Sequence, residues 1–202
     1  MEALLKKLKS NGMDTYYFTN SNDAKAHILN MIPKTATVGI GGSVTVREMG
    51  LLDAMARRRT QYFDHWKSGL SKDEIMEVKR KQVVADYFLT STNALTRDGK
   101  LVNIDNTGNR VSAMIFGPRH VIVVAGKNKI VDDVPGAIQR IKEKVVPRNT
   151  SRRGDDTPCA KGKPCPDCNS QDRLCRVTSI IEKKTKGVET LSVIIVEASL
   201  GY

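Results

Sequence analysis

No apolar run in this 202-residue sequence is long enough to cross a bilayer. The opening residues, MEALLKKLKS, hold neither the apolar core nor the cleavage site of a secretory leader, so a cytoplasmic location is expected. No internal repeat is present, which sets aside solenoids and propellers. Acids are outnumbered by bases, 22 to 33, for a net charge of +11. The excess is concentrated between Arg140 and Lys186, where thirteen Lys and Arg face six acids. Such a stretch can attract nucleic acid, a CoA-like polyanion or an acidic protein, although a solvated basic face is commoner. Aromatic residues are scarce at 5%, and none falls in that stretch, so the stacking surfaces of a nucleic-acid binder are missing there. Cysteine is absent outside residues 159–175.

Gly39 to Glu48, GIGGSVTVRE, is the most informative segment. It follows the apolar run Thr35 to Val38 and leads into an amphipathic stretch, giving the order strand, glycine turn, helix. Gly39, Gly41 and Gly42 let a ligand approach the backbone. Thr45 to Glu48 matches a capping box, which predicts Thr45 as the helix cap and an anion site formed by the loop with Ser43 and Thr45. The third glycine of a Rossmann fingerprint is lacking, as is the Gly-Lys-Ser/Thr of a P-loop. A strand-to-helix turn that serves packing alone is equally compatible with these residues.

Along the chain, Asp14 to Thr19, Asp86 to Ser91, Leu101 to Ile104 and His120 to Ala125 read as strands. Between them lie helices: one capped by Ser21 and ending before Pro33, one opened by the capping box Ser71 to Glu74, and one from Val134 to Val145 that stops at Pro147. Continuous apolar strands separated by helices imply an α/β domain with a largely parallel sheet. In such a sheet the polar end Thr90-Ser91-Thr92-Asn93 faces the glycine loop. Asp105 to Arg110, dense in hydrogen-bonding groups, and Lys129 fall in loops expected at the same crevice, with Asn93, Asn109, Arg110 and Lys129 placed to orient an anion. His65 and Trp66 are expected to pack near the loop in a structural role. Val177 to Glu182 and Leu191 to Glu197 read as a hairpin or two final strands.

The spacing of Cys159, Cys165, Cys168 and Cys175 is C-x5-C-x2-C-x6-C. Cysteines this tightly clustered, in a chain expected to stay in a reducing compartment, argue against disulfides and for a metal held by four thiolates. Zinc and iron–sulfur both fit four thiolates. The spacing is neither a zinc ribbon nor the bacterial ferredoxin run, and an iron–sulfur cluster of the 4Fe–4S type is favoured, with zinc as the alternative. The domain is expected to span residues 1–202, with 148–176 as a cysteine-rich, metal-binding loop insertion.

Three stretches together, TVGIGGSVTVREMGLLD, ADYFLTSTNALTRDGKLVNIDNTGNRVSAMIFGPRHVIVVAGKNKIV and TPCAKGKPCPDCNSQDRLC, resemble the LUD-domain, or lactate utilization protein, family. The resemblance implies the Rossmann-like fold shared by ribose-phosphate isomerases and CoA-transferases, in which the glycine loop holds phosphate or the CoA end of a ligand. Lys129 resembles the isomerases' post-strand lysine. The strand-end acid of those enzymes is replaced by Thr92-Asn93, which leaves Asp105 as the remaining acid. Lys129 and Asp105 are therefore the catalytic candidates, and whether the domain is an enzyme stays open. The resemblance implies a part in lactate oxidation or electron transfer beside iron–sulfur oxidoreductase subunits; a small anionic metabolite and a second copy of the chain are the other expected partners. Two alternatives stand beside it: a ligand sensor or subunit with structural zinc, and an isomerase or transferase acting on a phosphorylated or CoA-linked substrate.

Overall fold

In the computed structural model, which describes residues 1–202, the two longest apolar runs become neighbours in the middle of a sheet. These are β7 (His120–Gly126) and β10 (Thr190–Val196), paired in parallel and buried from their second residue onward. A strand covered on both faces needs apolar residues at nearly every position, so neither run alternates. Around them the order is β1 (Asp14–Phe18), β10, β7, β4 (Tyr87–Ser91), β2 (Val38–Ile40) and β3 (Tyr62–Asp64), with every pairing parallel. The largely parallel α/β architecture expected from the sequence is thus present. Its carboxyl ends form one edge, and the loops that leave them converge there.

Helices α1 (Glu2–Ser10), α2 (Ser21–Met31), α3 (Val44–Glu48), α4 (Leu51–Arg57), α5 (Lys72–Val83) and α6 (Asn109–Ile115) cover the two faces. One core gathers Ile28, Ile40, Leu51, Met55, Leu89 and Ile194; the other gathers Leu8, Phe88, Leu101, Met114, Val121 and Val193. The alternation of strand side chains divides them, since the consecutive residues Phe88 and Leu89 enter opposite cores. Phe88 is 0% exposed. Phe88→Ala is expected to destabilise the fold by about 3–5 kcal/mol through lost burial and the cavity left behind, measured as a lower urea midpoint at unchanged m-value.

A second sheet, absent from the sequence reading, has the order β8 (Ile130–Val131), β5 (Ala94–Thr96), β6 (Leu101–Asp105), β9 (Val177–Ile181). The turn Arg97 to Lys100 joins β5 and β6 as an antiparallel pair. The two final strands do not form a hairpin. β9 is mostly uncovered and pairs antiparallel with β6 at an edge, whereas β10 is buried from Leu191 onward and enters the parallel sheet.

Two caps lie where the sequence reading did not put them. Asn20, not Ser21, caps α2, its side chain accepting from Asp23 N at 2.9 Å. Ser43, not Thr45, caps α3, accepting from Val46 N at 3.2 Å. The Ser71 capping box on α5 is present with both of its reciprocal hydrogen bonds.

The helix that begins at Val134 does not stop at Pro147. α7 (Val134–Arg140) passes through a π-helical segment, Ile141–Val145, into α8 (Val146–Arg153). Proline lacks the amide that a continuing helix needs and crowds the carbonyl four residues earlier; the wider π turn shifts the register so that Pro147 falls in the first turn of α8. Residues 148–153 are therefore helical, and the cysteine-rich loop starts after Gly154 rather than at 148.

Candidate functional site

A cavity of about 490 Å³ opens at the carboxyl edge of the parallel sheet. Of the residues singled out by sequence, Gly42, Ser43, Thr45, Asn93, Asp105, Asn109, Arg110 and Lys129 all line it. Gly39 and Gly41 do not. A Cβ on Gly39 would sit 2.5 Å from the Gln82 carbonyl oxygen, and one on Gly41 would sit 2.4 Å from Thr90 Oγ1. Two of the three glycines thus let β2 lie against its neighbours, and only Gly42 opens onto the cavity.

Lys129 follows β7 and is 4% exposed. Its Nζ donates to Thr45 Oγ1 at 2.8 Å, to Ser91 Oγ at 2.8 Å and to the Thr92 carbonyl at 3.2 Å. This arrangement explains why Thr45 is buried yet is not the helix cap: its hydroxyl accepts from Lys129 and donates to the Leu200 carbonyl. Burial, then the nearby Arg140 and Arg110 charges, push the Lys129 pKa down to about 7, against the opposing pull of Glu48.

Arg110 is held by a single guanidinium nitrogen, Nη2, which donates to Asn93 Oδ1 and the Ile104 carbonyl at 3.0 Å each and to Asp105 Oδ1. The other Asp105 oxygen accepts from Val111 N at 3.3 Å. Asp105 and Arg110 form an ion pair with side chains only 14% and 11% exposed. In this arrangement Asp105 anchors Arg110. Asn93 serves in the same way, with Oδ1 also accepting from Ile104 N. Asn109 donates to Gln82 Oε1 at 3.3 Å.

Sequence reasoning left out the residues on the opposite wall. α8 brings Asn149, Arg152 and Arg153 to the cavity, and α5 brings Lys79. The spacing of 149, 152 and 153 is one face of a helix and was legible once the helix was carried past Pro147. Burial and the Arg153 charge push the Lys79 pKa down. Together Lys79, Arg110, Lys129, Arg152 and Arg153 surround a cavity whose one carboxylate, Asp105, is already paired. His65 and Trp66, after β3, complete the mouth.

All four cysteines line a second, small cavity of about 20 Å³. None is in a disulfide. Asp167, with φ of 52°, turns the chain between Cys165 and Cys168. Arg173 ties the loop by donating from Nε to the Cys175 carbonyl at 2.8 Å and from Nη1 to that of Cys168. The Thr157 and Thr150 hydroxyls stand 3.4 and 3.7 Å from Cys159 Sγ. As placed, no three His, Cys, Asp or Glu side chains come together at metal-ligand spacing. The donor set, four soft sulfurs facing one space with hydroxyl groups behind one of them, nevertheless has the composition that zinc or an iron–sulfur cluster takes. Val146 and Leu174 line both cavities and form the wall between them.

A largely parallel sheet with a cation-lined cavity at its carboxyl edge defines a Rossmann-like α/β domain. The chain belongs to the LUD-domain family, whose profile matches residues 1–196. A DUF162 family protein from Deinococcus radiodurans, known from a crystal structure, is similar in fold, with a TM-score of 0.55 and 14% identity over 96% of this chain and 94% of that one. No curated protein matches the chain. No helix is long and apolar enough to cross a membrane.

Proposed function

We propose that this LUD domain binds an anionic metabolite in the 490 Å³ cavity and holds an iron–sulfur cluster at Cys159, Cys165, Cys168 and Cys175, in the service of lactate oxidation or electron transfer. The observation that carries the reading is the balance of charge: five basic side chains line the cavity, the single acid among its walls is committed to Arg110, and only Arg153 has a further carboxylate partner, Asp155 at 3.0 Å. A low-dielectric recess of one sign concentrates ligands of the other. The volume lies within the range of about 300–1,000 Å³ common to small-molecule sites.

Each residue has a distinct part. Lys129 and Arg110, both fixed by hydrogen bonds to the chain, supply pre-oriented positive charge at the inner end, so little side-chain order is lost on binding. Arg152, Arg153 and Lys79 hold charge at the mouth. Asp105 and Asn93 keep Arg110 in place rather than moving a proton. A bound cluster would supply one-electron transfer or Lewis acidity on the far side of the Val146–Leu174 wall. Iron–sulfur oxidoreductase subunits are the partners this role calls for.

The experiment is calorimetric titration with L-lactate, pyruvate, inorganic phosphate and coenzyme A at two salt concentrations. At least one is expected to bind with one-to-one stoichiometry, more weakly at high salt, and about tenfold more weakly in an Arg152→Ser, Arg153→Ser double variant. If all four fail to bind at millimolar concentration, the anion-site reading is wrong.

A further inference from the structure

Gly42 shows no positive φ, so its conformation is open to any residue, and the reason for glycine there is space. A Cβ on Gly42 would lie 3.0 Å from Trp66 Nε1 and 3.1 Å from His65 Nε2. Two ring nitrogens from the loop after β3 therefore lie side by side against Gly42 at the cavity wall, where a side chain at position 42 would crowd them.

Both nitrogens carry hydrogen. The indole Nε1–H is a donor only. For His65 the proton is placed by Gln82, whose side-chain nitrogen donates to the Ile40 and Phe63 carbonyls and lies 2.9 Å from His65 Nδ1. An amide nitrogen cannot accept, and its two hydrogens are shared among the two carbonyls and Nδ1, so a hydrogen on Nδ1 would point at N–H groups with no acceptor; the tautomer that avoids this carries the ring proton on Nε2. Burial, with the Lys79 charge beside it, pushes the His65 pKa down to about 4, so the ring is neutral at physiological pH.

The pair is held firmly. Arg47 donates to Asp64 Oδ1 at 2.6 Å, and the same oxygen accepts from Trp66 N at 3.0 Å. The Arg47 and Arg152 guanidinium carbons lie 4.5 and 4.1 Å from the centre of the indole ring. Neither Trp66 Nε1 nor His65 Nε2 meets an acceptor within the chain, and neither is sealed from the cavity.

We propose that Trp66 Nε1–H and His65 Nε2–H form a two-donor fork beside Gly42 that grips an acceptor oxygen of the ligand, a carbonyl or carboxylate oxygen. The inference rests on the anion-site reading and adds to it what that site selects. Two donors with no acceptor between them favour a C=O or carboxylate oxygen over a hydroxyl that must also donate. Full charge is met by Lys129 and Arg110, and the fork sets the ligand's orientation. His65 and Trp66 are thus positioning groups in direct contact with the ligand, not packing residues alone.

The chain has one tryptophan, so a nitrogen-15 labelled sample gives one indole N–H resonance. That resonance is followed while L-lactate, pyruvate, inorganic phosphate and coenzyme A are titrated in. The expected result is a downfield shift of the indole proton that saturates with the binding isotherm of a carboxylate or carbonyl probe. Trp66→Phe, which keeps a ring between the two guanidiniums, and His65→Phe should each weaken that probe about tenfold, the loss of one hydrogen bond to a charged group. His65→Gln, which restores an N–H, should recover part of the loss. A probe that binds and depends on Lys129 while the indole resonance stays still and both Phe variants bind normally overturns the fork and leaves the anion site standing. Absence of binding by every probe removes both.

Discussion

Lys129→Met is expected to weaken anion binding by at least about thirtyfold while unfolding stays cooperative. Truncating one member of a buried, hydrogen-bonded charge pair costs roughly 2–5 kcal/mol, and methionine retains most of the side chain's volume. The same residue makes binding depend on pH. With its pKa pushed down to about 7, Lys129 is charged below that value and neutral above it. A bound anion favours the charged form, so affinity in the unmodified chain should fall as pH rises through about 7, and binding at pH 8 should take up a proton.

Stability should move the other way. The folded chain holds fewer protons at Lys129 than the unfolded chain does between about pH 7 and the ordinary lysine range, so this residue's contribution to stability rises with pH across that window. Titration calorimetry in buffers of different ionisation enthalpy, with melts at matched pH, measures both trends. Affinity that is flat from pH 6 to 9, with no proton uptake, would show that Lys129 is not the ligand's counter-charge.

Protein purified without oxygen should carry iron and sulfide in equal amounts with broad visible absorption, and a Cys159→Ser, Cys168→Ser double variant should lose all three. The four thiols already share one cavity wall, and the serine hydroxyl is a poor ligand for soft metals. Loss of the metal should raise hydrogen exchange across residues 155–176 and leave the amides of β7 and β10 protected, because the sheet has its own core. Because Leu174 faces both cavities and directly precedes Cys175, anion affinity should also change on metal removal. Stoichiometric zinc without absorption would make the box a structural staple and end the electron-transfer reading. Protein free of both metals, with thiols fully titratable, would end the metal reading as well.

Local pattern alone determined a good deal about this protein. The apolar run His120 to Ala125 announces a strand buried on both faces. Interleaved helices of ordinary period make the sheet parallel, and a parallel sheet places the strand-end residues Gly42, Asn93 and Lys129 at one edge. The four cysteines fall within one short stretch, so sequence proximity alone brings them to one loop. These signals survive without tertiary information because strand alternation, helix period and short spacing are properties of contiguous residues.

The tertiary structure decided the partners. Nothing local shows that β10 inserts between β1 and β7, that Asp105 is claimed by Arg110, or that Gly39 and Gly41 clear neighbouring backbone and side chains while Gly42 clears a cavity. Nor does sequence show that a π turn carries α8 past Pro147 and so brings Arg152 and Arg153 over the site. A charge, a hydroxyl or a missing Cβ has no function by itself. What it meets is fixed by residues far along the chain, and only packing settles which those are.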